Sequence, residues 1–389
     1  MRLHWSPEDE AFRDELRAFV DEHAPPEAFG RDYTSSPDEG VIPEWSRQWQ
    51  ATLFDHGWMI PSYPPELGGR NCTPVQTLLY LEELASRGMP RSLHFPGYAI
   101  VAPTLLDYGT PAQRELVPAA IRGDTVWCIG MSEPNAGSDL AALSTRADVY
   151  DDHFVVNGQK VWTSYAMAAE KCCCYVRTDR NVPKHRGISL LIVDMDTPGI
   201  EVRPLRHING AAEFAEVFFT DVVVPRENLV GEMNGGWALT QGSLAHERAG
   251  LWVEGVARLE HTVDALIALA RACGRDTDPV VRREIATLYE QVAGLRALGY
   301  QGFASFAQGR AAPEHSYLKL ASSELGKTCF ELGMKLQEAY GAVTEPELGA
   351  EDGRWPRGFL VTFAGTIAGG ASEIQRNIIA TRVLGLPRG

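Results

Sequence analysis

No apolar run in this 389-residue chain approaches the roughly 18 residues that a membrane-spanning helix needs, so no such helix is expected. An apolar signal core is missing too. Met1-Arg-Leu-His-Trp-Ser-Pro-Glu-Asp-Glu turns acidic almost at once, and a cytoplasmic protein is the expectation. Cysteine is sparse: seven in a chain of this length do not make a disulfide framework. Three of them are adjacent, Cys172-Cys-Cys174, which invites a metal reading. Neighbours on a strand point to alternate faces and cannot all converge on one ion, so small buried hydrophobes are the better account. Positive charge is short: 36 Lys and Arg against 51 Asp and Glu leave a net −15. That balance excludes the concentrated basic surface that nucleic acid requires. Repeats and low-complexity segments are absent.

What is present supports a large core. Hydrophobic residues make up 44% of the chain, enough for two or three domains. The first third reads helical. Ser6-Pro-Glu-Asp-Glu supplies a cap, a proline at the first helical position and acids in the first turn. Phe12, Leu16, Phe19 and Val20 then recur at helical spacing. After Gly123-Asp124 short β-rich segments alternate with turn formers, and Asn157-Gly158 and Asp196-Thr-Pro-Gly199 are read as turns. After Gly235-Gly236 three long helical segments follow, at 237–270, 280–308 and 317–340. The stretch 344–358 reads as a surface connection, and a last helix is expected from Ser372. The fold class is α+β, with domains expected at 1–123 (helical), 124–232 (antiparallel β) and 233–389 (helical).

Three elements carry chemistry. Gly130-Met-Ser-Glu-Pro-Asn-Ala-Gly-Ser-Asp139 follows an expected strand, and its backbone N–H groups and hydroxyls suit a polar heterocycle edge or a phosphate. Asn157-Gly-Gln-Lys-Val-Trp-Thr-Ser164 sets a large flat ring beside a hydroxyl. Thr366-Ile-Ala-Gly-Gly-Ala-Ser-Glu373 is a Gly-rich turn running into a helix start.

In this order the three resemble the acyl-CoA dehydrogenase family, and the resemblance covers nearly the whole chain. It implies a helical N-terminal domain, a middle β domain and a C-terminal four-helix bundle. It implies FAD as cofactor, an acyl-CoA substrate and an electron-transfer flavoprotein as acceptor. By resemblance Met131 and Ser132 bond the pyrimidine side of the flavin. Gly137 and Ser138 approach its phosphates or the acyl-CoA. Trp162 flanks the ring, Ser164 bonds N5, and Ala371 and Glu373 lie at the flavin-facing helix start.

Departures from the family pattern are informative. Where most members place a catalytic Glu, this chain has Gly369, which keeps an N–H to polarise a thioester carbonyl and has no group to take a proton. Glu247, in Leu244-Ala-His-Glu-Arg-Ala249, falls where some members carry a relocated base, and Arg248 matches an Arg that supports the active-site loop. Relocated bases occur in members acting on branched, long or bulky acyl groups, those of steroid side chains included. An Arg-x-x-Phe-Gly motif is missing, and the motif that holds the pyrophosphate is reduced to Gln337-Glu-Ala-Tyr-Gly-Ala-Val343, keeping Gln337 and Gly341. A homo- or hetero-oligomer, dimer or tetramer, is implied. Two other readings stay open: a silent subunit that completes a partner's site, and a flavin oxidase or monooxygenase on the same fold.

Overall fold

The computed structural model describes residues 5–29, 40–306 and 314–387; the side chains of 241–251, 306, 314, 315 and 350 are not among those described. Helix α1 (Pro7–His23) starts as its sequence dictates. Ser6 Oγ accepts from the Asp9 N–H at 3.1 Å, Pro7 opens the first turn, and Phe12, Leu16, Phe19 and Val20 form the buried stripe. Helices α2 (Glu44–Asp55) and α3 (Pro74–Ser86) follow, α3 closed at its start by a capping box between Thr73 and Gln76. A π-helical stretch over Gly97–Val101 runs into α4 (Ala102–Tyr108), and the short α5 (Pro111–Arg114) and α6 (Val117–Arg122) complete the N-terminal helices.

The middle of the chain supplies β1 (Trp127–Gly130), β2 (Arg146–Val149), β3 (His153–Ser164), β4 (Lys171–Arg177), β5 (Ile188–Asp194), β6 (Ile200–Leu205), β7 (Phe214–Pro225) and β8 (Leu229–Val230). They form one sheet in the order β6-β7-β3-β2-β4-β5-β8, with β1 beside β4. Pairing is antiparallel except at β1·β4 and β2·β4, which run parallel. Cys173, Tyr175, Ile188, Leu190 and Ile192 join the core of the N-terminal helices. Cys172, Cys174, Val176, Leu191 and Val193 face the other way, where they meet Phe154, Val156, Val217 and Phe219 of β3 and β7. All three adjacent cysteines are therefore buried, on alternating faces. Among the described residues no cluster of His, Cys, Asp and Glu could hold a metal ion.

The C-terminal helices are α7 (Gly236–Ala272), α8 (Pro279–Phe306), α9 (Glu314–Leu336), α10 (Arg354–Ile367) and α11 (Ser372–Ile378). Their core holds Trp252, Val256, Leu266, Leu288, Phe330 and Trp355. Two turn and loop expectations fail. Asn157-Gly158 lies inside β3, at a register shift between Val156 and Gly158, and Asn157 bonds across to Asp221. The pair makes a bulge because β3 runs on past it against β7. The expected connection 344–358 ends in helix: α10 begins at Arg354 and buries Trp355 completely. Packing of that ring outweighs the local turn-forming composition. Asp196–Gly199 is a turn, as expected.

Candidate functional site

Strand β1 anchors the first chemical element. Its Trp127 and Cys128 have no exposed surface, and the Trp127 carbonyl accepts from His94 Nε2 at 2.7 Å. Burial pushes the His94 imidazole down to about 4, against the pull of that hydrogen bond, so His94 is neutral at neutral pH. Beyond β1 the chain turns at Glu133–Ala136, which exchange two backbone hydrogen bonds of 3.0 Å. Met131 and Ser132 are half-buried, whereas Gly137, Ser138 and Asp139 are exposed. A Cβ on Gly137 would meet nothing within 4 Å, so space is left on that side of the loop.

Beneath this loop sits an ion pair that reading by motif did not single out. Lys160 Nζ donates to Glu133 Oε1 at 2.9 Å and to the Met131 carbonyl at 3.0 Å. Glu133 also accepts from Ser144 N and Oγ, at 2.6 and 2.9 Å, and from Thr145 N at 2.8 Å. Burial raises the Glu133 carboxyl, but the Lys160 ammonium and these donors outweigh it and hold the group at about 2. Both residues stand inside the two chemical elements, and Lys160 shares the strand parity of Phe154 and Val156. That parity was the signal available.

The same parity would bury Trp162. A second register shift in β3, between Lys160 and Thr163, turns it outward instead. Trp162 adopts a left-handed backbone at φ +59° and is 54% exposed. Its ring stands edge-on to Phe214 with centroids 5.8 Å apart. A tryptophan held at a strained backbone and mostly uncovered is a platform for a flat partner. Thr163 points inward, and its hydroxyl is buried without a partner. Ser164 is half-buried opposite Phe214. The Val161 N–H donates to the Ser132 carbonyl at 2.9 Å, so loop and bulged strand are tied directly. Met131, Ser132, Trp162 and Ser164 are thus brought together. An uncovered aromatic face at Trp162, the open side of Gly137 and the half-buried Ser164 hydroxyl fit a flat, hydrogen-bonding ring such as a flavin.

The C-terminal element forms a separate group held by α9. Gly369 and Gly370 have φ of +65° and +99°. Lys319 Nζ donates to the Gly370 carbonyl at 2.6 Å, and Gln375 Nε2 to that of Gly369 at 3.1 Å. Ser372 Oγ donates to Glu324 at 2.7 Å. Ala371 stands immediately before α11, and the exposed Glu373 pairs with Arg376 at 3.5 Å, where its charge complements the helix start. A Cβ at 369 would have room, its nearest neighbour being Lys319 Cε at 4.0 Å, although its φ disfavours any side chain. Gln337 is buried, and its Oε1 has no partner. Gly341 has a packing reason of its own, because a Cβ would come within 2.1 Å of the Met334 carbonyl oxygen. Glu247 and Arg248 sit in α7, and their side chains lie outside the described residues.

One open concavity of about 440 Å³ lies between the loop after β1 and the β4–β5 connection, lined by Leu143, Ser144, Arg177, Arg180 and Lys184. Lys184 pairs with Asp139 at 2.7 Å. Arg177 is spent on backbone carbonyls of Ala141, Leu143 and Lys184.

Comparison with known proteins agrees with this anatomy. Three acyl-CoA dehydrogenase domain families match in order: the N-terminal domain over residues 6–124, the middle domain over 128–222 and the C-terminal domain over 234–384. The acyl-CoA dehydrogenase IpdE1 of Mycolicibacterium smegmatis is 35% identical, with 89% of each chain covered. A solved structure described as the Tcur3481-Tcur3483 steroid ACAD superposes with a TM-score of 0.86 at 31% identity, covering both chains fully. The ChsE4-ChsE5 complex from Mycobacterium tuberculosis does so with a TM-score of 0.84, also at 31% identity and over both full chains. Helices flanking a sheet in this order, a loop and bulged strand shaped for a flat ring, and kinship over nine-tenths of its length place the chain in the acyl-CoA dehydrogenase family, whose members are flavoprotein oxidoreductases.

Proposed function

We propose that the chain desaturates an acyl-CoA thioester between its α and β carbons, with FAD as cofactor and Glu247 as the base. The observation that carries this is the Lys160–Glu133 pair tying the Met131–Ser132 loop to the bulge that exposes Trp162. When bound, FAD supplies the acceptor for the β-hydride. Met131 and Ser132 would bond the pyrimidine side of the ring, Trp162 would cover one flank, and Ser164 would donate to N5. Gly137, Ser138, Gln337, Gly341, Ala371 and Glu373 would meet the rest of the cofactor.

The α-proton needs a carboxylate on the substrate side away from the flavin. Gly369 has none. Glu247 stands on α7 at the position of a relocated base, with Arg248 beside it to steady the loop. The Gly369 N–H would polarise the thioester carbonyl, which raises the acidity of the α-carbon. Removing side-chain bulk at 369 favours a large acyl group, and relatives described as steroid enzymes support a steroid-type one. Electrons would leave to an electron-transfer flavoprotein.

The test is anaerobic mixing of the flavin-loaded protein with straight, branched, aromatic and sterol-derived acyl-CoAs. Bleaching of the flavin by a bulky thioester is expected. Glu247→Gln should retain flavin and slow bleaching about 10²–10⁴-fold. Bleaching at the wild-type rate in that variant would remove Glu247 from the role.

A second reading, a subunit that completes a partner's flavin site, is favoured by Gly369 and by the shortened motif around Gln337. A relative of known structure described as the ChsE4-ChsE5 complex also favours it.

A further inference from the structure

Three consecutive N–H groups stand unspent in the turn between α10 and α11. Among the described residues nothing accepts from the N–H of Gly369, Gly370 or Ala371. Helices fix the two ends of the turn. The Ala368 N–H still donates to the Ala364 carbonyl at 2.9 Å, and the Gln375 N–H already donates to that of Ala371 at 2.9 Å. The middle has no such support. Gly369 and Gly370 are adjacent and both at positive φ, and glycine gives up more backbone freedom on ordering than any other residue. With no side chain at either position, the turn can be held only by its carbonyls.

Two side chains hold them. Gln375, on α11 itself, reaches back to the Gly369 carbonyl at 3.1 Å and to that of Gly370 at 3.4 Å. Lys319 comes from α9, far away in sequence, and its ammonium meets the Gly370 carbonyl at 2.6 Å. A hydrogen bond from a charged donor is shorter and roughly twice as strong as a neutral one, so the lysine is the firmer clamp. Its stem is anchored, because its neighbour Leu318 is buried in the C-terminal core. The same helix holds the start of α11 a second time, through Glu324 and the Ser372 hydroxyl at 2.7 Å. Glu324 also faces Arg376 and Lys327, each at 3.8 Å. Lys319 Cε is the nearest atom, at 4.0 Å, to where a Cβ of residue 369 would stand. The clamp therefore lies alongside the residue whose N–H is assigned to the thioester carbonyl.

We infer that Lys319 is a positioning residue for the reaction: by gripping the Gly370 carbonyl it aims the Gly369 N–H at the thioester carbonyl of the substrate. This rests on the acyl-CoA reading and on that role for Gly369. A donor to a developing oxyanion is effective only when its direction is set before the substrate arrives. A glycine pair released from its clamp would sample many directions and lose that advantage.

The experiment uses benzoyl-CoA and naphthoyl-CoA, thioesters with no α-hydrogen to lose, and the thioether of each in which a methylene replaces the carbonyl. All four are titrated calorimetrically into the flavin-loaded protein. Wild type should bind at least one thioester about tenfold or more tighter than its thioether. Lys319→Met should lose most of that preference while keeping its flavin and its affinity for the thioether, and Lys319→Arg should restore most of it. The carbonyl stretch of the bound thioester, read by infrared difference spectroscopy, should lie below its value in water for wild type and move back in Lys319→Met. Should Lys319→Met not fold, Lys319→Gln, neutral and one bond shorter, carries the test with the same expectation. A preference and a stretch equal to wild type in the variant overturn the inference. So does an equal loss of affinity for thioester and thioether, or loss of folding or flavin in both neutral variants, since the lysine would then be a structural tether alone. Equal binding of thioester and thioether by wild type removes the role of the Gly369 N–H and this inference with it. Failure of all four compounds to bind overturns the acyl-CoA reading itself.

Discussion

Lys160 has no exposed surface, and an ammonium is tolerated there because it is paired with the Glu133 carboxylate and also donates to the Met131 carbonyl. Removing it would leave Glu133 charged, enclosed and short of its strongest partner. Lys160→Met should therefore lower unfolding stability by about 3–5 kcal/mol in denaturant titration. It should also release flavin more readily in dialysis, since the Met131 carbonyl loses its tether. The pH dependence follows from the same pair. The Glu133 carboxyl is held at about 2, below its ordinary 4.5, so its contribution is complete above pH 4.5. That contribution is lost as pH falls through 4.5 toward 2, and amounts to roughly 3 kcal/mol. Glu133→Gln should flatten the stability profile over that window, and an unchanged acid limb would show the pair to be inert.

Helices α9 and α10 approach through glycine. A Cβ on Gly333 would fall 2.0 Å from the Trp355 ring, and one on Gly358 would fall 2.1 Å from Phe330. The two rings fill what the glycines leave, tilted against each other with centroids 5.5 Å apart. Gly358→Val should cost about 1–3 kcal/mol through overpacking, read as a lower midpoint of thermal unfolding. A midpoint equal to wild type would mean that α10 can shift away. Here composition misled: residues 344–358 are rich in turn formers, yet from Arg354 onward a buried tryptophan holds the backbone in helix. The bulges of β3 misled in a similar way. Asn157-Gly158 has the local chemistry of a turn, and only the long partner β7 makes it an irregularity within a strand.

The whole molecule leaves apolar groups uncovered toward its C-terminal end: Phe363 and Ile367 on α10, then Val383, Leu384 and Leu386 beyond α11. Large apolar side chains left exposed together are the kind of surface that association covers. The purified chain should sediment as a dimer or larger and carry the visible spectrum of bound flavin. A colourless chain that gains colour only with a second chain of this fold would favour the completing-subunit reading. Among the described residues no helix is long and apolar enough to cross a membrane.

Helical spacing in α1, the capping signal at Ser6, the start of α11 and the burial of three adjacent cysteines were all legible in the amino-acid order, because each depends on neighbours a few residues away. The chemical elements around Met131, Trp162 and Gly369 were legible for the same reason, as short continuous runs. Tertiary structure alone decided that Lys160 reaches back to Glu133 and that Trp162 swings outward where strict alternation would bury it. Those outcomes depend on strand register, and no local pattern of residues encodes it.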